Sequence, residues 1–211
     1  MTSRQHISIV KRYQRPRPDA NNHAGILCPP LIVVAGVPGA GKTEALKNLR
    51  SKAHRVRVAD PELVRHIMRR WIPWLPYTYG RPIVHTIAHL WALAQILHRA
   101  GGPLVVHDPG TRKWSRRLIV DLAILLGYSP MIIYIDTDRD SALNGQIQRQ
   151  RVVRSQSFAR HWRRWTELRK RILEEGDVNH NEAWIRVELS RREDVVDDLL
   201  GLLKSELHEL P

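Results

Sequence analysis

The stretch that decides the fold is LIVVAGVPGAGKTEAL, Leu31 to Leu46. Five apolar residues, Leu31–Ala35, run into a glycine-rich turn, then a lysine, a threonine and a segment with helical character. Gly36-Val37-Pro38-Gly39-Ala40-Gly41-Lys42-Thr43 matches G-x-x-x-x-G-K-[ST] completely. The required context, a strand before and a helix after, is also present. Glycines let successive backbone N–H groups turn inward onto an anion. The helix that begins near Lys42 adds the positive end of its dipole. Lys42 is expected to reach the β- and γ-phosphates, and Thr43 to ligate Mg²⁺. The pattern predicts ATP with Mg²⁺ as cofactors, on Gly36, Pro38, Gly39, Ala40, Gly41, Lys42, Thr43 and Glu44. A glycine turn that carries Lys-Thr by coincidence is the competing reading, and the flanks argue against it.

The rest of the chain sets the bounds. Its 211 residues suit one domain with a sizeable core. A composition 43% hydrophobic and 26% charged fits a soluble α/β protein. The single cysteine, Cys28, excludes a disulfide framework and predicts a reducing, cytoplasmic setting. No apolar run approaches the roughly 20 residues of a membrane helix. Residues 1–25 read as a basic leader broken by proline and asparagine, and 26–211 as one domain. The net charge of +13 is uneven. From Arg139 to Arg171 ten Lys/Arg face two acids, whereas from Arg191 to Pro211 three face six. A basic middle attracts phosphates or nucleic acid; a solvated basic surface is the plainer reading.

Strand-like runs occur at Leu31–Ala35, Arg55–Ala59, Pro103–His107, Met131–Ile135 and Trp184–Leu189. Helical patterns lie at Lys42–Ser51, Pro61–Trp71, Pro82–Arg99, Lys113–Leu126, Arg139–Arg151, Ser155–Leu173 and Arg192–Leu207. This alternation predicts a mainly parallel sheet covered on both faces. Gly127 is placed to end a helix in the left-handed conformation. Ser190 with Glu193 fits a capping box. Phe158, Trp162, Trp165, Leu168 and Ile172 form one helical stripe, expected in the core. WIPWLPYTY, Trp71 to Tyr79, has two prolines that prevent a regular helix or central strand. It reads equally as an acceptor pocket built on Trp74 and Tyr77 or as a hydrophobic clasp.

In a doubly wound sheet ligands lie at the C-terminal ends of the strands. Strand two ends at Asp60, placed to accept the proton of an attacking hydroxyl, with Arg65 beyond it as an acceptor contact. Asp60 followed by Pro61 is also how a helix starts. Strand three ends in VVHDPGTR. Asp108 there suits Mg²⁺ or the acceptor, Thr111 and Arg112 are weaker acceptor candidates, and DPGT is also an ordinary turn. His107 reads as a packing residue. Asp136 and Asp138 read as turn and cap. Arg149, Arg151 and Arg154 are placed to fold over the triphosphate as a lid, with a solvated basic face as the alternative. Arg191 is the candidate beside the nucleotide base. His85 and His89 lack the further ligands of a zinc site.

Taken together, GVPGAGKT, the Asp60 strand end with Arg65, VVHDPGTR followed by Arg116 and Arg117, and the segment Arg149–Arg154 resemble a known group. These are the P-loop phosphotransferases allied to polynucleotide kinase, zeta-type toxins and chloramphenicol phosphotransferase, often named AAA-family ATP-binding proteins. The resemblance implies a P-loop NTPase three-layer sandwich whose five parallel strands run in order 2-3-1-4-5. It also implies a small helical acceptor region and an arginine lid. It makes Asp60 the group that activates the acceptor hydroxyl, and Lys42, Asp60 and Arg151 the catalytic set. In that group an arginine often follows the aspartate by three residues; here position three holds Leu63 and Arg65 stands at five. Nothing resembles the sensor arginines of hexameric AAA+ machines. The implied reaction is transfer of the ATP γ-phosphate to a hydroxyl of a small-molecule acceptor. A polynucleotide 5′-kinase and a nucleic-acid-binding or regulatory ATPase are the alternatives.

Overall fold

A strand that is apolar at every position must be covered on both faces. Leu31–Ala35 is such a run, and in the computed structural model β1 (Pro30–Ala35) is buried along its whole length. The structure describes residues 28–60, 90–98, 102–148 and 155–208, with single helical positions at 67, 70 and 87. β1 is the middle strand of a sheet with β2 (Arg57–Ala59), β3 (Leu104–His107), β4 (Ser129–Asp136) and β5 (Arg186–Arg191). The order is β2-β3-β1-β4-β5, and every neighbouring pair is parallel, as expected.

This order fixes where the helices go. The step from β1 to β2 crosses the sheet in one direction; the steps from β3 to β4 and from β4 to β5 cross in the other. Right-handed crossovers therefore put α1 (Lys42–Lys52) on one face. They put α2 (Lys113–Leu125) and α4 (Ser155–Glu175) on the opposite face. α3 (Arg139–Ile147) lies between β4 and α4 in the chain. α5 (Val195–His208) packs against α1. Among the described residues no helix is long and apolar enough to cross a membrane.

Local signals mostly act as their chemistry suggests. Gly127 has φ 75° and follows α2. Asp138 caps α3 by accepting the Ser141 N–H at 2.8 Å. On α4, Phe158, Trp165, Leu168 and Ile172 are buried and Trp162 packs against them. Trp165 stacks on Tyr134 of β4 with centroids 5.3 Å apart. Several boundaries differ from expectation: β2 starts only at Arg57, and β4 starts already at Ser129 and runs to Asp136. β5 starts at Arg186, and Trp184 before it donates its indole N–H to Glu182. Ser190 caps no helix, because the ladder to β4 carries the strand on to the Asp136–Arg191 pair. Its hydroxyl donates to Asp198 Oδ2 at 2.6 Å, and the last helix begins only at Val195. Of the helices expected over 61–71 and 82–99, residues 90–97 are helical, as are positions 67, 70 and 87; the remaining positions lie outside the described residues.

One buried polar network holds the loop after β3. The Glu182 carboxylate accepts from Arg116 Nε (2.9 Å) and Nη2 (2.8 Å), from Asn179 Nδ2 (3.2 Å) and from Trp184 Nε1 (2.9 Å). Arg116 Nη1 and the Tyr134 hydroxyl both donate to the Gly110 carbonyl, at 2.8 and 2.9 Å. Arg116 and Glu182 are both buried, so removing one partner leaves an uncompensated charge. Glu182→Ala is expected to lose about 3–5 kcal/mol in urea unfolding. A loss under about 1 kcal/mol, the scale of an exposed pair, would contradict this role.

Candidate functional site

The glycine turn sits at the end of β1. Gly36, Gly39 and Gly41 have φ of 143°, 92° and 104°, values that side chains disfavour. Gly41 opens α1 without a side-chain cap, so no N-cap side chain accepts from the first N–H groups of that helix. Lys42 is buried, and its ammonium donates to the carbonyls of Gly36 (2.7 Å) and Val37 (3.0 Å). Thr43 is half-buried and Glu44 exposed in the same first turn. The turn is held from outside. Gly36 N–H donates to the Pro109 carbonyl at 3.1 Å, and Gln146 Nε2 of α3 donates to the Pro38 carbonyl at 3.1 Å. A Cβ on Gly39 would lie 1.9 Å from the Ala142 carbonyl oxygen, and one on Gly145 would lie 2.5 Å from the Gly39 carbonyl oxygen. The cradle, its uncapped helix end and its lysine fit a nucleoside triphosphate.

Facing the turn are the ends of β2 and β3. Ala59 pairs with Val106, so the next residues, Asp60 and His107, are neighbours across the two strands. Asp60 is buried, and its Oδ1 lies 3.3 Å from His107 Nδ1. Burial pushes the His107 imidazole below its usual range; the bond to Asp60 opposes this and the charge of Lys42 adds to it. His107 is therefore neutral at pH 7. With Asp60 as carboxylate, Nδ1 carries the hydrogen and donates it. Asp108 is buried as well. Its Oδ1 accepts the Gly110 N–H at 2.7 Å and its Oδ2 the Ser115 hydroxyl at 3.0 Å. The turn reading of DPGT thus holds.

A third wall comes from α4. Thr111 Oγ1 and His161 Nδ1 are 3.0 Å apart. Burial, then the charges of Arg112, Lys42, Arg164 and Arg160, lower the His161 imidazole to about 4. Arg112 is exposed at the start of α2. Arg116, quoted in the resemblance, is a buried structural partner of Glu182 and not a surface contact. Arg191 is the exposed last residue of β5. It is the side chain of Arg192 that lies over the turn, with its Nε 3.0 Å from where a Gly41 Cβ would be. Asp136 forms a bidentate pair with Arg169, both bonds at 2.8 Å. Arg65, Trp74, Tyr77, Arg149, Arg151 and Arg154 lie outside the described residues.

The sequence reads His107 as a packing residue and does not single out His161 or Arg192. The signal for His107 was register: it needs the β2–β3 alignment that puts the residue after Ala59 beside it. His161 carries no sequence signal, because 50 residues separate it from Thr111.

Among curated proteins no sequence relative matches. The model described as an AAA domain matches residues 31–172. Three solved structures are similar. A kinase candidate from Chloroflexus aurantiacus has 16% identity and TM-score 0.57, over 86% of this chain and 100% of that one. The tunicamycin resistance protein of Deinococcus radiodurans has 17% identity and TM-score 0.53, over 83% and 95%. Shikimate kinase from Acinetobacter baumannii, in complex with shikimate, has 16% identity and TM-score 0.50, over 85% and 95%. At such identity these likenesses show the fold, a P-loop kinase type of α/β sandwich. With two thirds of its length matched, the chain belongs to the AAA-domain family.

Proposed function

We propose that the protein is a Mg²⁺- and ATP-dependent phosphotransferase that moves the γ-phosphate to a hydroxyl of a small-molecule acceptor. The observation that carries this reading is the buried Asp60 carboxylate, held by His107 at a strand end whose field includes Lys42. A turn that only bound nucleotide would need no such group. The kinase names among the structural neighbours support it.

When bound, Mg²⁺·ATP would supply the phosphoryl group and a divalent cation that offsets the negative charge on its oxygens. The chain's residues do the remainder. The N–H groups at the start of α1 would hold the triphosphate, and Thr43 would hold Mg²⁺, with Asp108 just after β3 as a further candidate. Lys42 leaves the Gly36 and Val37 carbonyls for the β- and γ-phosphate oxygens, where charge develops. Asp60 takes the acceptor's hydroxyl proton as its oxygen bonds phosphorus and ADP departs. Neutral His107 fixes the carboxylate by donating Nδ1–H, much as a buried partner orients a general base. Arg149, Arg151 and Arg154 are the proposed lid, with Arg151 closest in role to the transferring group. Arg192, packed over Gly41, joins Arg191 as a candidate beside the nucleotide base. Arg65, Trp74 and Tyr77 are the proposed acceptor wall. The aromatics Phe158 and Trp165 of the basic helix α4 face the core and offer bases no stacking platform, which favours a small acceptor over a nucleic-acid end.

Lys42→Ala is expected to lower turnover by about 100-fold or more, as loss of one preorganised cation does, with the unfolding midpoint preserved. Normal turnover in the folded variant would remove the nucleotide assignment. Asp60→Asn is expected to lower kcat by about 100-fold or more while the affinity for ATP, read by calorimetry, stays within a few-fold. Asn caps helices as well as Asp does. Turnover that survives this change would leave Asp60 as a helix cap and withdraw the base.

A further inference from the structure

Outside the transfer centre one group of side chains has no role yet. The 3.0 Å contact between Thr111 and His161 pins the first half of α4 to the loop after β3. Thr111 is buried there, and Arg112 follows it in the chain. Arg160 precedes His161, and Arg164 lies one turn beyond Arg160 on the same face of α4. Arg112, Arg160 and Arg164 are all exposed. Among the described residues none of the three pairs with a carboxylate, whereas Arg169 and Arg171 farther along α4 do. Because Arg112 follows Thr111 while Arg160 and Arg164 flank His161, the Thr111–His161 contact brings the three arginines to one junction. Cations gathered without acids repel one another, and guanidinium forks match oxyanions.

We infer that this cluster is the anion-holding half of the acceptor site. The hydroxyl compound carries a phosphate monoester or a carboxylate of its own, gripped by Arg112, Arg160 and Arg164 beside the glycine turn. The inference rests on the phosphotransferase reading. It gives that reading a substrate class: small hydroxy phosphates or hydroxy acids. Neutral His161, bound to Thr111 through Nδ1, adds no further charge to the cluster. Holding the anion here ties one end of the acceptor down and leaves its hydroxyl to Asp60.

The test titrates the full chain, saturated with Mg²⁺ and the non-hydrolysable analogue AMP-PNP, with inorganic phosphate and separately with malonate. The readout is the His161 ring signal by NMR. The expected result is a saturable shift with AMP-PNP still bound; the stronger of the two anions assigns the acceptor's group as phosphate or carboxylate. Arg160→Gln and Arg164→Gln should each weaken that anion about tenfold or more, the loss of one charge-assisted hydrogen bond, without weakening AMP-PNP. Lys170→Gln, on α4 beside Glu174, should leave it unchanged. No shift, or a shift only as the anion displaces AMP-PNP, overturns the inference and leaves the nucleotide reading standing. Failure of AMP-PNP to bind overturns both. A salt-steep complex with a single-stranded oligonucleotide, lost in the same two variants, overturns the small acceptor in favour of a nucleic acid.

Discussion

The site depends on backbone meeting backbone at Gly39. There the turn after β1 presses against α3 so closely that a Cβ would fall 1.9 Å from the Ala142 oxygen. Gly145 completes the contact from the other side, and Gln146 clamps the Pro38 carbonyl. Gly36 is tied in turn to Pro109 of the loop after β3. A phosphate cradle made of N–H groups works only if those groups already point inward before the anion arrives. Two neighbouring segments impose that direction here. The register of β2 on β3 sets Asp60 beside His107 at the neighbouring strand ends.

Charge is arranged around this cradle in a consistent way. Cations gather at the phosphate side: Lys42 within the turn, Arg192 over it, Arg112, Arg160 and Arg164 around His161. The two histidines between them are kept neutral, chiefly by burial. The carboxylates are buried and hydrogen-bonded, Asp60 to His107 and Asp108 to Gly110 and Ser115. Arg116 and Glu182 bear the structural load of the loop after β3, and Arg112 beyond it is exposed.

The parallel sheet was legible because strand chemistry, glycine turns and helical stripes in this chain agree with one another; the order of its strands came from the family resemblance alone. Leu31–Ala35 could only be a buried strand, and Phe158, Trp165, Leu168 and Ile172 could only face a core. The phosphate loop was legible because its spacing and its flanks carry the same message. What escaped needed distance information. Ser190 looked like a cap, since its pairing with β4 is invisible in one chain's order. His107 looked like packing, since only the β2–β3 register sets it beside Asp60. His161 looked like one more residue of a basic helix, and becomes notable only where α4 meets Thr111. Arg191 drew attention in place of Arg192, because a strand's end does not say which of two arginines turns toward the loop.

The central claim is that a buried carboxylate opposite a phosphate cradle directs the γ-phosphate to a hydroxyl other than water's. The fate of that phosphate decides it. With ATP labelled at the γ-phosphorus, offered together with hydroxy phosphates, hydroxy acids and oligonucleotides, the label should appear in an organic product whose formation requires Asp60. Label released only as inorganic phosphate, at a rate indifferent to every acceptor offered, would contradict the account.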